Sequence, residues 1–175
     1  GDPFGMLLFR DKVCAYLPPK RAVNNVRTCM VRILEQPLSG QQSDVRPALQ
    51  YVQRVLKARS MILVLSDFQL PAFHAELQAV ARRHEVILLH GYDDAERGNN
   101  LDGLYPIRDP ESGENFLLDG NSRKVKRLLA ENQSSLAKDL RESGRSCGTD
   151  YLPLSVEDDY LKRLVTFFRQ RSALR

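Results

Sequence analysis

Cysteine is scarce in this chain, and its placement excludes more than its number does. Cys14, Cys29 and Cys147 form no CxxC pair and no Cys/His spacing, which argues against both a disulfide framework and a zinc site. A reducing, cytoplasmic setting is the expectation. No apolar run approaches the ~20 residues needed to cross a bilayer, so no membrane span is expected in these residues, and any anchor would belong to another part of a full-length protein. Residues 1–9 have no basic n-region ahead of an apolar stretch and no small-residue cleavage site, so no signal peptide is read there. Charge of one sign is scarce too: 26 Lys and Arg face 22 Asp and Glu, a formal net charge of +4. Arg123, Lys124, Lys126 and Arg127 cluster on a helix face without interleaved aromatic residues to stack bases, which reads as a solvated face and excludes nucleic acid as the expected partner. A GxSxG elbow, a Gly-rich phosphate loop and a Cys/His pair in a recognisable setting are all missing. The usual nucleophiles therefore lack their surroundings, no catalytic residue is assigned, and the expectation is a protein that is not an enzyme.

What is present suffices for one domain. A chain of 175 residues buries roughly 70% of its unfolded surface, enough for a three-layer core. Residues 5–9 and 13–17, closed by Pro18 and Pro19, predict a hairpin. Val23, Val26, Met30, Ile33 and Leu34 recur at helical spacing over residues 21–35, and residues 36–40 break the pattern. Ser43 stands where an N-cap is expected for a second helix, with Pro47 in its first turn and Leu49, Val52, Val55 and Leu56 as its stripe.

The run MILVL at residues 61–65 predicts a parallel strand buried on both faces. Ser66 and Asp67 follow it. Pro71 opens a helix with Phe73, Leu77, Val80 and Ala81 as its apolar stripe, and residues 85–90 form the next buried strand. Strand, helix, strand in that order predicts parallel neighbours joined by right-handed crossovers, with helices on both faces of the sheet. A polar loop covers residues 93–100. Residues 104–107 and 116–118 flank the turn residues Asp109, Pro110, Glu111, Ser112 and Gly113, predicting a small extra hairpin. A long helix over residues 123–143, a last strand at Tyr151 and Leu152, and a closing helix behind the capping pattern Ser155-x-x-Asp158 complete the fold. The fold class is α/β: a three-layer, doubly wound, mostly parallel sheet with an antiparallel edge strand and an additional hairpin.

Ligands of open α/β sheets bind at the carboxyl ends of the strands. Asp67 follows a central strand directly, and Ser43 begins a helix whose N-terminus faces the same edge, so a carboxylate and a hydroxyl there are candidate ligands for one hard cation such as Mg²⁺. A plainer reading stands beside it: Ser43 caps its helix and Asp67 turns the chain. Asp44, Ser66, Asp93, Asp94 and Glu96 are the candidate ligand rim around them. His74, His84 and His90 are scattered and read as surface or strand-end residues.

Residues 5–9 (GMLLF), Ser43-Asp44-x-x-x-Ala48-Leu49, residues 62–68 (ILVLSDF) and the closing Asp159-Tyr160-Leu161 with Phe167-Phe168-Arg169 together resemble the bacterial domain of unknown function family 58, across essentially the whole chain. The resemblance implies a von Willebrand factor A-like domain with a metal-ion-dependent adhesion site built from three loops. Ser43 and Asp67 match the second and third. An Asp-x-Ser-x-Ser motif, which the resemblance places at the end of a strand between residues 5–9 and 61–65, is absent from this sequence, and Ser43 replaces the more usual Thr. The resemblance thus implies a domain without its N-terminal strand and Mg²⁺ held weakly or not at all by these residues. It implies a protein-protein interaction module acting with a MoxR-type AAA+ ATPase or its client. The alternative from another class is a small Mg²⁺-dependent hydrolase or phosphotransferase of Rossmann-like fold using Asp67.

Overall fold

The computed structural model describes residues 2–21, 23–35, 43–108 and 115–173. The break expected at 36–40 and the turn expected at 109–113 lie outside the described residues. In chain order the elements are β1 (Phe4–Phe9), β2 (Val13–Lys20), α1 (Val23–Leu34), α2 (Arg46–Val55), β3 (Met61–Ser66), α3 (His74–Ala81), β4 (Glu85–Tyr92), β5 (Leu104–Arg108), β6 (Asn115–Asp119), α4 (Arg123–Cys147), β7 (Asp150–Ser155) and α5 (Tyr160–Ala173), with a 3-10 turn at Asp94–Arg97.

The sheet that positions everything else is β3-β4-β7, and both of its ladders are parallel. Side chains alternate between faces along each strand. Val64, Val86 and Leu88 pack with Leu49 of α2, Leu77 and Val80 of α3 and Leu140 of α4. Ile87, Leu89, Leu152 and Leu154 pack on the other face with Leu164, Phe167 and Phe168 of α5. Helices therefore cover both faces, and β4 is apolar without alternation because both of its sides are buried, down to 0% exposure at Ile87 and Leu88.

The same expectation fails for β3. Val64 is buried, but Met61, Leu63 and Leu65 are 50%, 47% and 64% exposed. Their register partners Glu85, Ile87 and Leu89 show that these three share the face α5 covers. α5 packs on β4 and β7 and leaves the β3 part of that face bare. β3 is also the edge of its sheet, so among the described residues it lacks a strand neighbour on one side as well as a roof.

The hairpin is a second departure. β1 and β2 form a two-stranded antiparallel sheet of their own, not the antiparallel edge of the parallel sheet. Pro18 and Pro19 lie inside β2 instead of closing it. Proline has no N–H to donate, so it is tolerated where a strand has a partner on one side only. Gly5 opposite them is required by space: a Cβ there would sit 2.8 Å from the Leu17 carbonyl oxygen and 2.8 Å from the Pro19 nitrogen. Phe9 packs on the core beneath α2, and the Asp44 amide donates to the Arg10 carbonyl at 2.7 Å.

Helix ends follow local chemistry more closely than the sequence pattern showed. α3 starts at His74, three residues after Pro71, because Phe73 is buried and stacks on Phe68 with ring centroids 5.8 Å apart. α4 continues to Cys147, and Gly148 at φ 68° stops it by returning its amide to the Gly144 and Arg145 carbonyls. α5 is capped by Asp159, whose carboxylate accepts from the Lys162 amide at 3.0 Å. Ser155 serves a tighter turn instead, accepting from the Glu157 amide at 3.2 Å. The far end of α5 is tied down by Arg171, which reaches Asp150 at 2.8 Å and Glu85 at 3.3 Å, at the starts of β7 and β4.

The burial contrast makes a direct prediction. Leu88→Ala, in the middle of β4, costs about 2–5 kcal/mol in urea denaturation. Leu117→Ala, on the β6 hairpin at 67% exposure, costs less than about 1 kcal/mol. Equal losses at the two sites would show that β4 is not the centre of the core.

Candidate functional site at the carboxyl edge of the sheet

Because the three strands are parallel, the loops after β3, β4 and β7 leave from one edge. Each begins with acid: Asp67 after β3, Asp93 and Asp94 after β4, and Glu157 after β7. The β4 and β7 exits are stitched together where the Val156 amide donates to the Tyr92 carbonyl at 3.0 Å.

Asp67 occupies an unusual turn. Phe68 follows it at φ 55°, a left-handed conformation that costs a non-glycine residue on the order of 1–3 kcal/mol. Burial of Phe68, its stacking on Phe73, and the 3.0 Å bond from its amide to Ser66 Oγ hold it there. Asp67 Oδ1 accepts from Ser66 Oγ and from the Gln69 amide, both at 3.3 Å. Its carboxylate therefore stays exposed at the rim with acceptor capacity to spare.

Ser43 and Asp44 are placed differently from expectation. α2 begins at Arg46 with Val45 at the cap position and no side-chain cap, so Ser43 lies outside the capping position. Asp44 takes over that role: Oδ1 accepts from the Arg46 amide at 2.9 Å, and the Arg46 guanidinium grips both oxygens at 2.7–2.9 Å. These bonds hold the Asp44 carboxyl below its usual range. Asp44 is thus committed to starting α2.

The acidic loop after β4 divides its labour. Asp93 caps the 3-10 turn, accepting from the Ala95 amide at 2.8 Å, while Glu96 Oε1 accepts from the Asp93 amide. Glu96 Oε2 receives Gln133 Nε2 of α4 at 2.7 Å and Gln69 Nε2 at 3.4 Å, tying this loop to the Asp67 loop. Asp94 faces Glu157. The charge of Asp94 is the main cause that raises the Glu157 carboxyl above its usual value, followed by partial desolvation, a hydrogen bond with Asp94 and the charge of Asp93. Sequence reasoning missed Glu157 because residues 155–158 read as a helix-capping pattern. The available signal was simpler: every parallel strand is followed within two residues by an acid.

Beneath the rim lies His90, read from the sequence as a surface or strand-end residue and found buried near the end of β4. His90 is 1% exposed, faces the helix side of β4 opposite Ser66 in register, and bonds the Tyr151 hydroxyl through Nδ1 at 2.8 Å. Phe68, Tyr92 and Tyr151 surround it, and Arg97 lies over the Tyr92 ring at 3.9 Å. Burial lowers its pKa, against the opposing pull of the Asp67 charge. His84 is also buried, and burial lowers its pKa too. His84 lies in the turn between α3 and β4, and His90 is covered by the rings of Phe68, Tyr92 and Tyr151. His74 remains exposed but is not isolated, with Nε2 2.9 Å from Ser146 Oγ and 3.5 Å from Cys147 Sγ.

Among the described residues no group of three or more His, Cys, Asp and Glu side chains is arranged to hold a metal ion. Ser43 and Asp67 offer one hydroxyl and one carboxylate, whereas Mg²⁺ demands six oxygens in near-octahedral geometry. The donor set of these residues alone does not fit that ion. Among the described residues no helix is long and apolar enough to cross a membrane.

Comparison with known proteins identifies the family. The chain belongs to the family described as Protein of unknown function DUF58, which matches residues 1–138. It is 27% identical over 182 residues to uncharacterized proteins of Mycobacterium tuberculosis and Mycobacterium bovis, covering 99% of this chain. The chain spans about half the length of those curated relatives, 56%. It is 26% identical over 160 residues to an uncharacterized protein of Mycobacterium avium, covering 89% of this chain and 93% of the relative. No solved structure matches.

Two pH predictions of opposite sign follow from the rim. A lowered His90 pKa means that the folded state binds fewer protons than the unfolded chain below about 6.5, so stability is full above that value and is lost as pH falls through the window. His90→Gln shrinks the fall in Tm between about pH 7 and about pH 5, with His84 keeping its own share. A raised Glu157 pKa means that the folded state binds more protons, so stability is lost as pH rises through the folded value. Glu157→Gln therefore raises Tm at neutral pH and gives no gain in acid. Parallel Tm–pH curves for Glu157→Gln and the parent would remove the repulsion from the account.

Proposed function

We propose that this chain is a non-catalytic protein-interaction module of von Willebrand factor A-like, doubly wound type, and that the carboxyl edge of its sheet is the contact surface. One observation carries the reading: Asp67, Asp94 and Glu157 converge from the loops after all three parallel strands, and Glu157 and Asp94 are close enough to repel. A crowded acidic rim at the carboxyl edge of a parallel sheet suits a basic or cation-bearing protein ligand. Its strained support at Phe68 is the kind of local cost that binding sites retain. The resemblance drawn from sequence makes a MoxR-type AAA+ ATPase, or a protein it remodels, the proposed partner. A shared cation fits this scheme only as a joint site, in which Ser43 and Asp67 supply part of the coordination and the rest comes from a partner carboxylate, water and protein outside this chain.

The test is calorimetric titration of the intact protein with the MoxR-type ATPase of the same organism, with and without Mg²⁺. The expected result is binding that weakens with salt and drops at least about tenfold, about 1.4 kcal/mol, in Asp67→Ala. Unchanged affinity in Asp67→Ala would take the rim out of the interface. A phosphate-ester assay on the same proteins checks the hydrolase alternative: turnover abolished by Asp67→Ala would replace the binding reading with an enzyme.

A further inference from the structure

We infer that Cys147, with His74 and Ser146 beside it, is a site of reversible thiol modification, at which a small disulfide passes one of its sulfurs to Cys147. The site lies where α3 and α4 meet, and the inference does not rest on what the rim binds.

The fold makes a pair that the sequence does not show. Cys147 and His74 stand 73 residues apart, yet Sγ lies 3.5 Å from Nε2. The three cysteines are therefore unlike. Cys29 is buried, Cys14 is exposed with its sulfur 3.6 Å from the Lys12 carbonyl, and Cys147 combines partial exposure with an imidazole neighbour. Among the described residues no third His, Cys, Asp or Glu joins the pair to complete a metal site. A nucleophile and a polar partner within reach of it remain.

Ser146 decides which atom holds the proton between them. Its hydroxyl donates to the Ser143 carbonyl at 2.9 Å, and a hydroxyl has a single proton to give. Toward His74 Nε2, 2.9 Å away, Ser146 Oγ can only accept, so Nε2 carries the proton. The sulfur shares that N–H as a second acceptor. An ionised acceptor makes the stronger bond, so the N–H turns to the sulfur when the thiol ionises. This donation matters because Cys147 is the last residue of α4, where the negative end of the helix dipole opposes a thiolate. Room for an adduct is present: a Cβ on Gly148, the next residue, would meet nothing within 4 Å. The other side of Cys147 packs on the core, which favours a small disulfide over a protein one.

The step is thiol–disulfide exchange. The Cys147 thiol gives its proton to water, and the thiolate, held by Nε2–H, attacks one sulfur of a low-molecular-weight disulfide. A new S–S bond forms to Cys147 as the S–S bond of the disulfide breaks, and the departing thiolate takes a proton from water. The Cys147 sulfur is oxidised, the departing sulfur is reduced, and no other oxidant enters. A small thiol in excess reverses the exchange.

The test is incubation of the intact protein with oxidised glutathione, with the adduct at each cysteine followed over time by peptide mass spectrometry. At about pH 7 we expect Cys147 to be modified at least ~5-fold faster than exposed Cys14. His74→Ala slows Cys147 at least ~5-fold at that pH, and the difference closes by about pH 10, where a cysteine thiol ionises without help. His74→Gln, which keeps an N–H donor at that position, restores most of the lost rate. If His74→Ala fails to fold, the parent's ratio of Cys147 to Cys14 and the His74→Gln rate decide. Modification of Cys147 no faster than of Cys14 overturns the inference. Equal slowing in His74→Ala at both pH values overturns it too, because it makes His74 a packing residue and not a donor to the sulfur.

Discussion

Burial of β4 on both faces is the constraint on which the rest of the structure depends. Val86 and Leu88 lock α2, α3 and α4 to one side, and Ile87 and Leu89 lock α5 to the other. Once β4 is fixed, parallel pairing brings the exits of β3 and β7 to the same edge. The acidic rim is therefore a consequence of the core: Asp67, Asp94 and Glu157 are far apart in sequence and meet because the strands before them share a direction.

The rim itself runs against local preference in three ways. Phe68 adopts a left-handed conformation, Asp94 and Glu157 crowd like charges together, and His90 places an imidazole in an apolar, aromatic surround with Nε2 lacking a hydrogen-bond partner among the described residues. Each costs stability, and each is held by packing from the layer below, through Phe73, Tyr92 and Tyr151. Departures also occur elsewhere, as at buried His84, whose ring nitrogens have no hydrogen-bond partner among the described residues, but at the rim three of them meet at one edge.

The parts of the fold legible in the sequence were those written in long periodic patterns. β4 and its parallel neighbour, the β5–β6 hairpin and the start of α4 follow from apolar periodicity and turn residues. Positions set by tertiary contact were not legible. MILVL describes a strand able to be buried twice over but not which of its sides receives a cover. Pro71 permits a helix start, whereas the Phe68–Phe73 stack sets the actual one. Ser43 and Asp44 are both competent caps, and the choice falls to Asp44 because Arg46 stands two residues on to grip it. Glu157 belongs to no motif, and only the sheet brings it to Asp94.

Order along β3 and order at the rim are physically linked. Asp67 stands at the end of β3, the parallel strand with a free edge and a half-bare face. Strands held on one side open at lower free energy than strands held on both, and a binding group is useful only if its support keeps it within a fraction of an ångström of the productive geometry. The Phe68 turn resists motion at the rim end through its stack on Phe73, and the bonds of Glu96 to Gln69 and Gln133 brace it from the β4 loop and α4. Among the described residues, the length of β3 behind that turn has no comparable brace on its outer side. The rim end of β3 is therefore held more firmly than the strand behind it, and the position of the Asp67 carboxylate depends on the Phe68–Phe73 stack and the Glu96 bonds more than on β3 itself.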